Sequence, residues 1–268
     1  MEDLTRTIAP EDWYKNWFDS PYYHLLYGRR NEEEAEDFLS RLLDFLRVKN
    51  EARVMDMGCG KGRYARFLAE KGCIVTGIDL SAESIKAARR YEHQNLSFFN
   101  HDMRQIFRVN YYDYIFSFFT SFGYFPDPAD DMAILKNVHK GLRNGGRFTL
   151  DFFNSTYIRN NLVPREKLTI RSVNFEIDRW IDRDWVVKRI RVEDNGRAGE
   201  FFERVRLFSH EKLNEMLLSA GLQPTHCFGD YELGDFHEES SPRLIFIANK
   251  IADAGDDYWM GRTDILLD

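Results

Sequence analysis

The positions of apolar residues predict a regular succession of strands and helices after residue 52. Short apolar runs predict strands at 54–57, 74–79, 96–100, 114–119 and 147–151. Between these runs, apolar residues at helical spacing predict helices that begin near Arg63, Ser81 and Asp127. Strands that alternate with helices of this length are typical of βαβ units, so we expect a mainly parallel sheet.

The chain before this region shows two other patterns. Residues 1–30 contain many rings but no helical or strand period, which predicts an irregular segment. Asn31 then has the character of a helix cap, because three glutamates follow it where the helix dipole favours acids. Apolar residues at helical spacing continue to about Val48, so we expect an amphipathic helix there.

The chain after residue 155 is rich in predicted strands. β-Branched and aromatic runs at 167–173, 175–180, 185–192 and 201–208 are broken by turn signals at 183–184 and 194–196. A helix capped by Ser209 and ended by Gly221 follows, with final strands expected at 224–231 and 243–249. The predicted division is a cap segment and helix over 1–48, a core over 49–154 and 209–250, an antiparallel β insertion over 155–208, and a tail over 251–268.

Composition narrows the class of protein. The formal net charge of -7 argues against a chain that grips nucleic acid through phosphates, since that requires a clustered basic surface. The 22 Phe, 13 Tyr and 5 Trp predict a packed core or a ring-lined pocket. No apolar run approaches the ~20 residues of a membrane helix. Three scattered cysteines predict neither a disulfide framework nor a metal site, so a cytoplasmic setting is the default expectation.

The most informative stretch is the glycine-rich turn at 56–63, DMGCGKGR. A turn of this kind between a strand and a helix lets a ligand approach the backbone closely. Its spacing is G-x-G-x-G, whereas the dinucleotide fingerprint places the third glycine one position later, where Arg63 stands here. Asp56, two residues before the turn, would repel a pyrophosphate and suits a cationic ligand. Both features oppose a nicotinamide dehydrogenase.

Two further acids follow neighbouring strands. Asp79 ends the second predicted strand, where a carboxylate accepts hydrogen bonds from ribose hydroxyls. Asp102 follows the third strand, where an acid can hold an adenine amino group or serve as an ordinary turn residue. Taken in order, 56–62, Asp79, Asp102 and 113–119 resemble the class I S-adenosylmethionine-dependent methyltransferases.

The resemblance implies a fold and a cofactor. The fold is α/β, a Rossmann-like seven-stranded mainly parallel sheet with helices on both faces, an antiparallel last strand and an antiparallel β insertion after strand 5. The cofactor is S-adenosyl-L-methionine, with its ribose diol on Asp79 and its adenine near Asp102, the Met103 backbone and Leu80. The residues that would surround the methionyl part are Asp56, Gly58, Gly60 and Gly62. The other expected cofactor contacts are Tyr23, Arg30, Cys59, Ser81 and Phe118.

The acceptor end is similar to small-molecule N-methyltransferases that act on amino sugars and glycine. Residues 121–124, SFGY, and the tyrosine-rich 22–27 carry this similarity. The chain lacks the Asn/Asp-Pro-Pro-aromatic motif after strand four and the Pro-Cys pair of a cytosine-C5 nucleophile. We therefore expect in-line methyl transfer to a nitrogen or oxygen of a small molecule, with Tyr23, Tyr124 and His24 as catalytic candidates.

Other functions stay open at this point. An RNA or protein methyltransferase would need a basic stripe, to which Arg104, Arg108, Arg159, Arg165 and Lys167 could contribute. A non-catalytic S-adenosylmethionine-binding regulator would share the same cofactor motifs. Neither a membrane nor a nucleic acid is expected as a partner. The sequence leaves the acceptor atom, any general base, the choice between monomer and homodimer, and the role of the tail undetermined.

Overall fold

The computed structural model describes residues 9–28 and 32–252, without the side chains of Glu32 and Glu33. Asn31, Arg30 and residues 253–268 of the predicted tail therefore lie outside the described residues. Within the described part, no helix combines the length and the apolar character that crossing a bilayer requires.

Seven strands form the main sheet. In chain order they are β1 (Arg53–Met57), β2 (Ile74–Asp79), β3 (Leu96–Asn100), β4 (Tyr112–Ser117), β5 (Leu142–Phe153), β10 (Leu222–Phe228) and β11 (Arg243–Lys250). Their order across the sheet is β10-β11-β5-β4-β1-β2-β3. Neighbouring strands from β5 to β3 are parallel, while β11 runs antiparallel to both β5 and β10. The predicted mainly parallel sheet with one inserted antiparallel strand is confirmed.

Apolar side chains cover both faces of this sheet. The helices that contribute to this covering are α3 (Glu32–Leu46), which precedes β1, and α4 (Arg63–Glu70), α5 (Ala82–Ala88), α6 (Pro128–Gly141) and α8 (His210–Ser219). Along β1, Met55 and Met57 belong to one buried cluster with α6 and α8, whereas Val54 belongs to a second with α3, α4 and α5. This alternation follows from the two-residue period of a strand, and it places helices on both faces, as predicted.

A smaller antiparallel sheet follows β5 and the short helix α7 (Ser155–Asn161). Its strands are β6 (Arg165–Ile170), β7 (Val173–Asp182), β8 (Trp185–Asp194) and β9 (Arg197–Arg206), paired in that order. The predicted turns at 183–184 and 194–196 connect them, and Arg183, Asn195 and Gly196 all have positive φ. One turn was missed: the run at 167–173 is broken at Arg171, whose φ of 57° reverses the chain.

The prediction of an irregular N-terminal segment is wrong for residues 9–28. Two short helices lie there, α1 (Trp13–Phe18) and α2 (Pro21–Tyr27). Ser20 caps α2 by accepting a hydrogen bond from the Tyr22 backbone, and Pro21 occupies its first turn. Trp17 of α1 is fully buried and packs against Phe201 of β9. Helices this short are stabilised mainly by tertiary packing. Their sequences therefore need no helical period of apolar residues, and the pattern did not predict them.

Several predicted boundaries also move. Strand β5 begins at Leu142, directly after α6 ends at Gly141, and so starts five residues before the strand predicted at 147–151. Strand β4 ends at Ser117, two residues before the predicted end, since Phe119 and Thr120 have φ of 55° and 66° and cannot continue a strand. The strands predicted at 201–208 and 224–231 occupy Arg197–Arg206 and Leu222–Phe228 instead.

Candidate active site

The glycine-rich turn lies where β1 leaves the centre of the main sheet. Gly58 has a φ of 80°, and a Cβ built on it would lie 2.7 Å from the Cβ of Ser121. A residue with a side chain would therefore suffer both backbone strain and a collision at this point. Gly60 has a φ of 54° and faces open space, and its backbone N–H donates to Oδ2 of Asp79 at 2.8 Å. The turn thus leaves its backbone open to a ligand.

Asp79 is held in place by backbone donors. Its Oδ1 accepts the N–H of Ser81 and its Oδ2 accepts that of Gly60, each at 2.8 Å. An ionised carboxylate offers about four lone-pair sites, so each oxygen can accept one more hydrogen bond. The hydroxyl of Ser81 caps α5 through the Ser84 backbone and also donates to Asp19 at the end of α1. Ser81 therefore supports this site from behind and joins it to the N-terminal helices.

Asp56 is a buried acid with a vacant hydrogen-bonding position. Its side chain is 1% exposed, and its Oδ2 has no hydrogen-bond partner among the described residues. Burial, assisted by the negative charge of Asp79, raises the pKa of Asp56 to about 7. Burial also raises the pKa of Asp79, although its backbone donors oppose that shift. Two buried acids side by side favour a cationic ligand, which would offset their mutual repulsion.

A cavity of about 580 Å³, called here the turn cavity, opens over these groups. The predicted site residues that line it are Tyr23, His24, Asp56, Gly58, Cys59, Gly60, Asp79, Leu80, Met103, Phe118 and Tyr124. Gly62 lies behind it, where a Cβ would collide with the ring of Phe98. The structure thus brings most of the predicted residues together around one space.

Asp102 differs from the prediction in its surroundings. Its carboxylate does not line the turn cavity and is paired with Arg104, whose Nη2 lies 2.7 Å from Oδ2. Although burial acts to raise the pKa of Asp102, its bonds to Arg104 hold it below the usual value. Arg104 also reaches Asp130 at 3.1 Å. The acid predicted to hold an adenine amino group is therefore already engaged by a cation, while its neighbour Met103 lines the cavity.

His24, one of the catalytic candidates, is half-buried in α2 beside the turn cavity. Burial, followed by the positive charge of Lys61, lowers the pKa of His24 to about 4, and Asp19 opposes the shift. Its imidazole is consequently neutral at pH 7. A base with so low a pKa holds a proton weakly, and His24 does not line the second cavity described next.

A second cavity, called here the insertion cavity, lies between the N-terminal helices, the small sheet and the C-terminal edge of the main sheet. It also measures about 580 Å³. Part of its wall is apolar and comes from distant segments: Trp13, Phe153, Ile158, Leu162, Val186 and Val205. Its polar wall includes Arg179, Lys188, Glu203, Tyr231 and Arg243. The cavity therefore depends on the insertion for its existence, since β7, β8 and β9 supply much of its lining.

Six aromatic residues line both cavities and form what we call the collar between them. They are Phe18, Tyr23, Tyr27, Tyr64, Phe119 and Tyr124. Tyr64 stacks on Phe119 with ring centroids 4.7 Å apart, and Phe18 packs against Tyr23 and Tyr124 at 5.1 and 5.6 Å. The hydroxyl of Tyr124 donates to the backbone carbonyl of Thr120. Tyr23 and Tyr124 thus lie at the boundary of the two spaces, whereas His24 touches one.

A buried polar cluster holds one side of the collar. Glu203 accepts hydrogen bonds from Trp17 Nε1 at 2.7 Å, from the Tyr27 hydroxyl at 2.5 Å and from Lys188 at 2.6 Å. Lys188 also donates to the Tyr27 hydroxyl. Although burial acts to raise the pKa of Glu203, Lys188 and the neutral donors hold it below its usual value, so the carboxylate stays ionised. The cluster ties α1 and α2 to the small sheet.

Asp151 holds the other side, at the end of β5. This side chain is fully buried and accepts the Phe119 N–H at 2.7 Å, and its backbone carbonyl accepts the Thr120 N–H at 3.0 Å. Its Oδ1 also accepts from Nε and Nη2 of Arg243, at 2.8 and 2.6 Å. Asp151 therefore clamps the two residues with positive φ that carry the chain from β4 into the collar, and such strain persists only where neighbours impose it.

Several of these residues were not predicted as site residues. Tyr27, Lys188 and Glu203 come from three separate segments, and Lys188 and Glu203 meet only because β8 and β9 pair in this register. The available signal for Lys188 and Glu203 was an alternation of apolar and charged residues along β8 and β9. The same alternation is typical of a strand that has one face in solvent. Arg243 similarly stands at the start of a predicted strand with no motif around it.

Comparisons with known proteins agree with this geometry. Residues 54–146, from β1 into β5, match the family of methyltransferase domains. YqeM of Bacillus subtilis (strain 168), named as a methyltransferase, is 26% identical over 229 residues, which cover 76% of this chain and 86% of that protein.

Two solved structures show the same fold. A S-adenosylmethionine-dependent methyltransferase from Clostridium acetobutylicum superposes with a TM-score of 0.74 at 18% identity, over 86% of this chain and 96% of that chain. The sugar N-methyltransferase KedS8 from Streptoalloteichus superposes with a TM-score of 0.66 at 18% identity, over 86% of this chain and 93% of that one.

Proposed function

We propose that this chain, whose residues 54–146 match a methyltransferase domain, is a class I S-adenosylmethionine-dependent methyltransferase that methylates a small molecule at a nitrogen or oxygen atom. In this proposal the cofactor occupies the turn cavity, the acceptor occupies the insertion cavity, and the methyl group passes through the collar. The observation that carries it is the pair of adjoining cavities of about 580 Å³ each, which share six aromatic residues.

The turn cavity fits the chemistry of the cofactor. S-Adenosylmethionine supplies, when bound, a methyl group on a positively charged sulfur that leaves as a neutral thioether. The buried Asp56 has an oxygen without a partner among the described residues, and Asp79 has spare acceptor positions beside the open backbone of Gly60. Carboxylates and aromatic faces both favour a cationic ligand. The donor and acceptor set of the cavity is therefore complementary to a positively charged nucleoside.

We assign the residues of the turn cavity accordingly. Asp79 accepts the ribose hydroxyls, and Asp56 receives the positive end of the cofactor with Gly58 and Gly60 close to it. Leu80, which is 37% exposed on the rim, and Met103 pack against the base. Because Arg104 already occupies Asp102, we assign the adenine amino group no bond from that carboxylate. Cys59 and Phe118 contribute apolar wall.

The collar orients the reacting atoms and excludes water. An in-line displacement needs the nucleophile aligned with the bond that breaks, and correct alignment alone can supply much of the rate enhancement. Phe18 packs edge to face against Tyr23 and at a tilt against Tyr124, so these three rings lie together at the boundary of the two cavities. Their exclusion of water strengthens the electrostatic interactions of a cationic centre.

An amine acceptor must enter with its lone pair free. His24 has a low pKa and lies outside the insertion cavity. We therefore do not assign it to take a proton from the molecule that is methylated. Tyr23 and Tyr124 touch both cavities, and their hydroxyl oxygens can accept a hydrogen bond from an incoming N–H or O–H group. We therefore assign these two tyrosines to orientation of the nucleophile rather than to removal of its proton.

A small acceptor agrees better with the structure than a nucleic acid does. The basic residues that an RNA-binding stripe would use are partly neutralised: Arg104 pairs with Asp102, Arg165 with Asp178 and Lys167 with Glu176. None of the three lines either cavity. A recessed space with a few polar groups is the usual form of a small-molecule site, and the similar KedS8 structure is that of a sugar N-methyltransferase.

Calorimetry and an activity assay test the proposal. Asp79→Ala should weaken S-adenosylmethionine binding by at least about tenfold, because hydrogen bonds to a charged group contribute ~1.5–3 kcal/mol each. Asp182→Ala, at an exposed position at the end of β7, is the matched control and should bind like the parent chain. Unchanged affinity in Asp79→Ala would contradict the assignment of the turn cavity.

The second part of the test separates an enzyme from a regulator. Purified protein is incubated with S-adenosylmethionine and a panel of amines, amino sugars and hydroxy compounds, and the formation of S-adenosylhomocysteine is followed. Acceptor-dependent product formation is the expected result. Turnover with RNA or protein substrates alone would contradict the small-molecule proposal, and cofactor binding without turnover on any acceptor class would favour the non-catalytic regulator.

A further inference from the structure

Two arginines line the insertion cavity, whereas the carboxylates that pair with them lie outside its lining. Two guanidinium groups, those of Arg179 and Arg243, line the cavity, while their carboxylate partners, Glu166 and Asp151, do not. Each guanidinium is therefore paired with a carboxylate that lies outside the cavity lining, while the guanidinium itself remains part of that lining. This arrangement keeps an arginine charged and oriented without filling the space in front of it.

Arg243 is the better fixed of the two. Its Nε and Nη2 are bound to Asp151, and Nη2 also donates to Thr120 Oγ1 at 3.2 Å. Its Nη1 makes no hydrogen bond to the residues that the structure describes, although its side chain is 16% exposed. The guanidinium carbon lies 5.4 Å from the ring centroid of Tyr231, another residue of the cavity wall. The guanidinium of Arg243 is therefore fixed in orientation through Nε and Nη2, and its Nη1 can donate to a ligand.

Arg179 has a similar arrangement on the opposite sheet. Its Nη2 pairs with Glu166 at 2.5 Å and its Nη1 donates to the backbone carbonyl of Val163 at 3.4 Å. Within the described part of the chain its Nε has no hydrogen-bond partner, and its side chain is 20% exposed. The main sheet and the insertion thus each contribute one anchored guanidinium to the same cavity.

The other charges of the wall do not cancel these two. Lys188 and Glu203 lie 2.6 Å apart and neutralise each other. Glu34 is exposed to solvent, which screens its charge. The remaining groups are neutral hydroxyls and apolar side chains, among them Phe153, Ile158 and Leu162.

From this arrangement we infer that the acceptor carries an oxyanion, a carboxylate or a phosphate ester, which binds to Arg243 and Arg179 in the insertion cavity. The inference rests on the proposed function and names the class of acceptor. The oxyanion is a handle and not the methylated atom, which lies nearer the collar. The apolar walls receive an uncharged, ring-sized or branched body between the handle and the nucleophile.

Ligand-observed NMR titrations test the inference on the full chain with S-adenosylhomocysteine present. The probes are phenylacetate, its neutral analogue phenylacetamide, and phenyl phosphate. The parent chain should bind at least one anion about tenfold more tightly than phenylacetamide, because a charge-assisted arginine contact is stronger than a neutral one. The relative affinities of phenylacetate and phenyl phosphate then distinguish the two sources of the oxyanion.

Two sets of variants sharpen the result. Arg243→Gln should abolish the tenfold preference for the anion and leave phenylacetamide binding within about twofold, since that probe does not use the charge. Arg143→Gln is the matched control, because Arg143 is largely exposed and pairs with Asp113. If Arg243→Gln fails to fold because it leaves Asp151 buried and unpaired, the double variant Asp151→Asn/Arg243→Gln and the single variant Arg179→Gln provide the same comparison.

The outcomes separate the inference from the proposed function. Equal affinity for phenylacetate, phenyl phosphate and phenylacetamide would overturn it, as would an anion preference that persists when both arginines are replaced. Failure of both anions to bind a chain that binds S-adenosylhomocysteine would also overturn it. In each case methyl transfer to neutral amines in the panel assay would leave the proposed function standing, whereas loss of cofactor binding would remove the function itself.

Discussion

The turn cavity and the insertion cavity have the same volume but are built in different ways. The turn cavity is made from the ends of parallel strands, with Asp79 held by the backbone N–H groups of Gly60 and Ser81 and with Asp56 at the end of β1. The insertion cavity is made from side chains whose positions in the chain lie far apart, such as Tyr27 and Lys188, separated by 161 residues. A cofactor common to a superfamily suits the first construction, and a variable acceptor suits the second.

This difference predicts that mutations in the two cavities have separable effects. Damage to the turn cavity should weaken cofactor binding, whatever the acceptor. Damage to the insertion cavity should weaken acceptor binding or turnover while the cofactor still binds. The predictions below test that separation, beginning with the largest expected effect.

The largest effect is expected from Glu203→Ala. This change leaves Lys188, which is 20% exposed, without its carboxylate partner and removes the acceptor for Trp17 and Tyr27. Breaking a largely buried pair costs about 3 kcal/mol of folding free energy, to be measured by urea denaturation. Glu200→Ala, on an exposed position of the same strand, should be nearly neutral.

The same variant tests the division between the cavities. At a temperature where Glu203→Ala remains folded, its affinity for S-adenosylhomocysteine should stay within about threefold of the parent, because Glu203 lies outside the turn cavity. A loss of cofactor affinity as large as the loss of turnover would show that the collar does not separate two independent sites.

The second effect concerns Gly58→Ala, which targets the turn cavity. A Cβ at this position would lie 2.7 Å from Ser121 on a backbone with φ of 80°, so we expect a cost of about 2 kcal/mol and a marked loss of cofactor affinity. Gly145→Ala has a similar φ of 76° but meets nothing within 4 Å. Calorimetry on the two variants therefore separates the collision from backbone strain. Equal effects of both substitutions would refute a specific role for the turn.

These two variants also show what the sequence could and could not reveal. Gly58, Asp56 and Asp79 were identifiable because a strand, a turn and the next strand end form one local unit, in which spacing along the chain fixes the geometry. Glu203 was not identifiable, since its partners depend on the register of β8 with β9 and on the docking of α1 and α2. Long-range pairings of this kind leave no periodic signal in a single sequence.

For Asp102 the sequence predicted the position correctly but not the bonding partner. Its place after β3 was predicted correctly, and its neighbour Met103 lines the turn cavity. Arg104, two residues further along the chain, forms an ion pair with the Asp102 carboxylate and also with Asp130 at the start of α6. This ion pair competes with the predicted bond to an adenine amino group. A spacing rule states where an acid stands in the fold but not which cation it meets there.

The third effect is a pH dependence of cofactor binding. The pKa of Asp56 is raised to about 7 by burial and by Asp79, so this carboxyl becomes ionised as the pH rises through 7. The ionised form attracts a cation, and affinity for S-adenosylmethionine should therefore increase from pH 6 to pH 8. Calorimetry across that range measures it, and Asp56→Asn should flatten the profile. A parent profile that is flat or falls would contradict the assignment of Asp56.

The same shift has the opposite sign for the stability of the ligand-free chain. A carboxyl whose pKa is higher in the folded state than its ordinary value of 3.8 favours folding more as the pH falls from about 7 towards 4. The melting temperature of the parent, relative to Asp56→Asn, should accordingly rise over that interval. Thermal scans without cofactor measure the difference, and a relative decrease would contradict the raised pKa.

The smallest effect is expected from Lys167→Ala on the small sheet. Lys167 is largely exposed and pairs with Glu176 at 3.1 Å, and exposed pairs contribute at most about 1 kcal/mol. Stability and methyl transfer to the acceptor should both remain close to those of the parent chain. A strong loss of activity would instead support the basic stripe of a nucleic-acid methyltransferase, and an activity assay with the variant decides between them.

A crystal structure of the full chain with S-adenosylhomocysteine tests the central claim most directly, because it locates the cofactor product relative to the collar. We predict that its ribose hydroxyls bind Asp79, that its sulfur lies at the collar beside Tyr23 and Tyr124, and that the insertion cavity stays free of it. A product molecule that lies in the insertion cavity, or that makes no contact with Asp79, would contradict the division of the site into a cofactor side and an acceptor side.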